Sequence, residues 1–97
     1  MVIWTPRARA DIKAIHDHIY KDAPINAKRL TQRILDKAAS LEDFPATHKV
    51  VLEARVDDLH EASVSAWRLI YRQRDNDIYI ITVVHKRQRL GDERLQR

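Results

Sequence analysis

Apolar residues recur at helical spacing over roughly the first forty positions and then gather into short β-branched and aromatic runs. Ala8, Ile12, Ile15 and Ile19 follow one another at four, three and four residues, forming one stripe, while Arg9, Lys13, Asp17 and Lys21 fall elsewhere. Thr5 and Pro6 suit the N-cap and first position of this helix, directly after the short apolar run Val2-Ile3-Trp4. Asp22-Ala23-Pro24 breaks the pattern, and Pro24 restarts it with Asp22 or Ala23 at the cap. The second stripe is Ala27, Leu30, Ile34, Ala38 and Leu41, and Pro45 is expected to stop the helix after Phe44. Two amphipathic helices so closely joined predict an antiparallel hairpin that must bury both stripes against a further layer.

The rest of the chain supplies that layer. Val50-Val51-Leu52, Val56 to Ala62, Ala66 to Arg72 and Ile78 to His85 read as strands in succession, and short connections make their pairing antiparallel. Asp75-Asn76-Asp77 tolerates positive φ and marks a hairpin between the last two. The class is therefore α+β, with an N-terminal strand and a helical hairpin packed on a mostly antiparallel sheet. Alternation puts Trp67, Leu69 and Tyr71 on one face, toward the helices, and Arg68, Ile70 and Arg72 on the other. Both sets of the final strand are apolar, as in a central strand covered on two sides. The pattern leaves open which of them shares a face with Arg68; if it is the set ending in His85, then Arg68, His85 and Arg87 converge.

Composition narrows the class further. Ninety-seven residues, 44% of them hydrophobic, with one glycine and three prolines, suit a single globular domain. The absence of cysteine excludes disulfides and thiolate metal sites. No run approaches a membrane span, and the first residues lack a signal-peptide core, so a cytoplasmic location is expected. From Ala66 onward eight basic residues stand against four acidic ones, which accounts for the whole net charge of +4. That asymmetry points to anionic partners. Arg68, charged within an apolar strand, is expected to face a groove where an anion meets it, because an unpaired buried charge is costly.

Other residues carry less. His16 and His18 stand two apart on a helix and point to different sides, and His48 and His60 lack ligand-spaced partners, so no metal site is expected. Trp4, Tyr20 and Trp67 read as core aromatics rather than base-stacking platforms. With Gly91 the sole glycine, no phosphate-cradling loop can form, and no cofactor is expected.

The order of elements, together with Trp4-Thr5-Pro6, Ala8, Asp11-Ile12, Ala27, Leu41, Phe44-Pro45, Trp67-Arg68-Leu69-Ile70-Tyr71-Arg72 and Val83-Val84-His85-Lys86-Arg87, resembles the RelE/ParE superfamily of type II toxins. The resemblance covers the chain to about Arg89. It implies a toxin domain over residues 1–90 with a basic tail over 91–97, and a cognate antitoxin as partner in a toxin–antitoxin hetero-oligomer. By charge matching and apolar burial, the antitoxin is expected to contact Arg68, Ile70, Arg72, Arg87 and Arg89.

The superfamily contains two mechanisms. RelE-like members cut messenger RNA on the ribosome; for that, the resemblance casts Arg68 and Arg87 as phosphate-stabilising cations, with His85 as acid or base and Glu61 as a possible base. The lysines often found ahead of the strand arginine are missing from Asp57-Asp58-Leu59-His60-Glu61, and no tyrosine follows the terminal arginines. ParE-like members poison DNA gyrase and serve in plasmid stabilisation, with no chemistry of their own. Ala8, Asp11, Ile12, Ile15 and His18-Ile19-Tyr20 resemble that branch, as does His85. Gyrase inhibition is therefore the leading expectation and ribosome-dependent cleavage the alternative. A non-catalytic nucleic-acid module built on Lys86, Arg87, Arg89, Arg94 and Arg97 is a further one.

Overall fold

The computed structural model describes residues 1–43, 49–50 and 59–88. The elements are β1 Val2–Trp4, α1 Pro6–Tyr20, α2 Pro24–Ser40, β2 Lys49–Val50, β3 Leu59–Val64, β4 Trp67–Arg74 and β5 Asp77–His85. Among the described residues the strands form one sheet in the order β1-β5-β4-β3-β2. Every pairing is antiparallel except that of β1 with β5, which is parallel, with Ile3 opposite Tyr79. β5 is thus a central strand, as its two apolar faces require.

Both helices begin where the sequence places them. Thr5 caps α1 and accepts from the Ala8 N–H at 3.3 Å, with Pro6 in the first turn. Ala8 and Ile15 are buried, and Ile12 and Ile19 pack on the same core. α2 starts at Pro24 after Ala23 and buries Ala27, Ile34 and Ala38. It ends earlier than the proline would dictate: turns tighten at Leu41 N–H to Ala38 O (3.1 Å) and Asp43 N–H to Ser40 O (3.2 Å), closing the helix at Ser40. Phe44 and Pro45 lie outside the described residues, as do His48, Val51, Leu52 and the start of the strand expected from Val56.

The helix-facing core joins Ile15, Ile34, Ala38 and Leu41 to Ala62, Val64, Leu69, Tyr71, Ile78, Ile80 and Val83. A second cluster, Leu59, Ile70, Ile81 and Val84 with Tyr79 against it, covers the other side of the sheet. Two-residue turns join β3 to β4 and β4 to β5, with Ser65 and Asp75 both at φ 55°. The second carries out the hairpin expected at Asp75-Asn76-Asp77.

One irregularity ties the layers together. β4 and β5 pair as Tyr71 with Ile80 and then Ile70 with Thr82, so Ile81 is an extra residue, a β-bulge. Side chains from α1 occupy this point. The Thr5 hydroxyl donates to the Ile80 carbonyl at 2.7 Å, with the Ile81 carbonyl 3.1 Å away. Asp11 Oδ2 accepts from the Thr82 hydroxyl and, at 3.1 Å, from the Val83 N–H. The Ile80 carbonyl also accepts the Thr5 N–H at 3.2 Å, so Thr5 and Asp11 fasten the start of α1 to β5 beside the bulge.

Tyr20 departs from its expected core position and is 54% exposed. It sits one residue beyond Ile19, about a quarter turn off the buried stripe, and its ring instead meets that of His16 at 5.4 Å.

Candidate functional site

Strand alternation sets the geometry around Arg68. Leu69 and Tyr71 enter the helix-facing core, so Arg68, Ile70 and Arg72 point from the opposite face. In β3 the residue across from Arg68 is Ser63, which makes Glu61 its diagonal neighbour on the same face. Arg68 Nε donates to Glu61 Oε2 at 3.0 Å and Nη2 to Oε1 at 3.1 Å, a two-point fork. Nη1 reaches the Gln88 carbonyl at 3.3 Å. Both side chains are nearly enclosed, at 9% and 7% exposure.

This corrects the expectation that Arg68 faces an open groove. The cost of burying a guanidinium is met by an internal carboxylate and a carbonyl rather than by an incoming anion. Glu61, a possible base from the sequence, is the counter-ion. Ile70, expected to touch a partner, has no exposed surface and belongs to the second cluster. Arg72 is half-buried on the same face, opposite Leu59 and Tyr79.

His85 lies elsewhere. It stands directly opposite Trp67, whose side chain packs on the helix-facing core, and its ring meets the indole edge-on at 5.1 Å. The two rings share a face that Arg68 does not. The face left open by the pattern is thereby decided: the set ending in His85 is not the one that shares a face with Arg68, and the condition for their convergence with Arg87 is not met. His85 Nδ1 accepts the Arg87 N–H at 3.1 Å, so the neutral ring carries its proton on Nε2. Its own N–H donates to Gln88 Oε1 at 2.9 Å. Arg87 is exposed in the turn after β5, and Arg89 and the basic tail lie outside the described residues.

Among the described residues the arrangement thus offers a closed ion pair, a histidine fixed by its neighbours and an exposed Arg87. It does not assemble base, phosphate-binding cation and acid around one point. No group of three or more His, Asp or Glu side chains stands close enough to hold a metal among the described residues, and none of their helices is long and apolar enough to cross a membrane.

The sequence reading passed over one feature, the outer surface of α2. Arg29, Arg33 and Lys37 line one side of that helix, and Ile25 stands 68% exposed at its start. The signal was present, because Ile25 lies off the stripe of Ala27, Leu30 and Ile34.

Residues 2–90 match the family model described as the ParE toxin of type II toxin-antitoxin system, parDE. The chain is 31% identical over 84 residues to Toxin RelE2 of Caulobacter vibrioides, covering 87% of this chain and 92% of that protein. Its fold is similar to the chromosomal ParDE toxin-antitoxin system from P. aeruginosa, with a TM-score of 0.73 and 21% identity over 87% of this chain and 92% of that one. It is also similar to the toxin-antitoxin complex RelBE2 from Mycobacterium tuberculosis, with a TM-score of 0.63 and 24% identity over 88% of each chain. Fold and sequence together define a type II toxin of the RelE/ParE superfamily. Within it, this chain belongs to the ParE toxin family.

Proposed function

We propose that the protein acts by binding, as a ParE-like inhibitor of DNA gyrase in the cytoplasm, and that a cognate antitoxin neutralises it in a hetero-oligomer. The observation that carries this reading is the two-point Arg68–Glu61 pair. RNA cleavage by a 2′-hydroxyl needs a cation free to meet the phosphate and an acid and base beside it. Here the strand arginine is committed to a carboxylate, and His85 stands on the other side of the sheet. The ParE family match supports the same branch. Solved relatives described as toxin-antitoxin complexes support an antitoxin partner.

The name of the relative RelE2 favours a second reading, ribosome-dependent cleavage of messenger RNA. It would require Arg68 to leave Glu61 when substrate binds. Purified protein titrated into gyrase with relaxed plasmid, beside a translating ribosome extract, separates the two. Gyrase inhibition with intact messenger is the expected result; cleaved messenger with normal supercoiling would sink the proposal.

A further inference from the structure

The chain leaves β5 through a turn that is closed from several sides. Gln88 N–H donates to the His85 carbonyl at 3.0 Å, the bond that makes residues 85–88 a β-turn. The Gln88 side chain returns the contact, its Oε1 accepting the His85 N–H at 2.9 Å. Lys86 N–H donates to the Ala66 carbonyl at 2.8 Å, which ties the turn to the residue before β4. The Gln88 carbonyl receives Arg68 Nη1 at 3.3 Å. None of these acceptors changes its protonation near neutral pH. One further bond does depend on a proton: the Arg87 N–H, at the third residue of the turn, donates to His85 Nδ1 at 3.1 Å. A side-chain acceptor two residues back is how Asn and Asp stabilise turns, and the imidazole nitrogen stands where Asn Oδ1 would.

A ring nitrogen accepts only while it is unprotonated, and histidine is the side chain whose charge changes between about pH 5 and 8. Once Nδ1 carries a proton, two N–H groups point at each other and Arg87 loses its acceptor. The charges around the ring offer a protonated His85 no counter-ion. Lys86 and Arg87 are exposed cations of the turn itself. On the other face of β4, Arg68 is committed to Glu61 of β3. α1, the helix packed on β5, brings Asp11, already bonded to Thr82 and Val83, then Lys13 and His16, both paired with Asp17, and exposed His18. α2 adds Arg29 and Arg33 beside Ser65. Among the described residues no carboxylate pairs with His85. The β4–β5 ladder keeps the ring opposite Trp67, so it is the turn that gives way.

We propose that residues 85–88 are a proton-operated latch: neutral His85 holds Lys86 and Arg87 in one turn geometry, and protonated His85 lets residues 86–88 loosen. The sign follows from the bond. The turn is fully held on the alkaline side of the ring's titration and is released as pH falls through it. The Arg68 contact with the Gln88 carbonyl opens with the turn. The Arg68–Glu61 fork does not run through the turn and stays closed. Acid therefore changes how the chain presents two exposed cations, fixed in one state and free in the other. The latch belongs to the turn and is independent of the target, so failure of the gyrase reading leaves it standing.

The test follows the isotope-labelled full chain by NMR from about pH 8 to 5, reading the His85 ring, the Arg87 amide and the backbone order of residues 86–88 together. The Arg87 amide is expected to shift along the ring's own titration. Order parameters of residues 86–88 should fall from about 0.85 to below about 0.6, while residues 78–84 stay rigid. His85→Asn keeps an acceptor in the same place without titrating and should hold the turn ordered throughout. His85→Leu removes the acceptor and should be loose already at the alkaline end. Cooperative melts verify folding of both variants, and the wild-type titration decides by itself should either fail to fold. Residues 86–88 that remain ordered while the ring titrates overturn the proposal. So does an ordered turn in His85→Leu, or the same acid loosening in His85→Asn, which would assign the change to another group.

Discussion

Glu61 and Arg68 are the residues on which the functional reading turns, and their energetics are testable in isolation from any activity. Removing one member of a buried pair strands the other charge, so Glu61→Gln or Arg68→Met alone should cost about 3–5 kcal/mol in denaturant unfolding. Replacing both by apolar residues, Glu61→Leu with Arg68→Met, should recover most of that loss. Tyr71 adds a pH dependence. Burial pushes its phenol up from 10.0 to about 12. A raised folded-state pKa means the neutral form is favoured by folding. Stability from this group is complete below about pH 10 and declines as pH rises toward 12. Melts from pH 8 to 12 should show this alkaline loss, and Tyr71→Phe should flatten it. The orientation of Arg68 was legible from alternation alone, but its partner was not. Glu61 becomes its neighbour only because a two-residue turn at Ser65 and Ala66 sets Val64 opposite Trp67, and that register is not written in either strand.

Helices and strands meet at the bulge. Thr5 and Asp11 suit a cap and a motif residue of α1, and both side chains also bond β5 beside the bulge, at Ile80, Thr82 and Val83. Thr5→Ala should lose about 1–2 kcal/mol from the cap alone. Asp11→Ala should lose a comparable amount, about 1–3 kcal/mol, because it leaves the buried Thr82 hydroxyl and the Val83 N–H without this acceptor. Urea midpoints measure both, and a loss in either that is much smaller would mean water replaces the side chain. The two helical stripes, the face assignment of β4 and the central place of β5 all follow from apolar periodicity, which is a local property. The bulge does not, since both sets of β5 are apolar and a slip of one residue leaves the pattern looking the same. Parallel pairing of β1 with the last strand was equally hidden, because a three-residue run carries no record of its distant neighbour. Tyr20 shows the complementary error: an aromatic beside a stripe is not part of it.

The whole molecule presents its charge differently from the linear sequence. Counting along the chain assigns the positive excess to the last third, whereas folding spends Arg68 on Glu61 and leaves α2 displaying a row of cations beside exposed apolar side chains. Commitment of the strand arginine to an internal carboxylate supports the proposed reading, in which the protein acts by binding rather than by cleaving. That distinction can be read in cells with the paired apolar variant, because it removes the guanidinium without leaving a stranded carboxylate. Growth after induction of Glu61→Leu/Arg68→Met, in a strain without the partner protein and with folding verified by a cooperative melt, is the decisive measurement. Arrest within about twofold of the wild-type chain is the expected outcome if the pair is structural. Normal growth with a folded variant would contradict it and return Arg68 to a role in the chemistry.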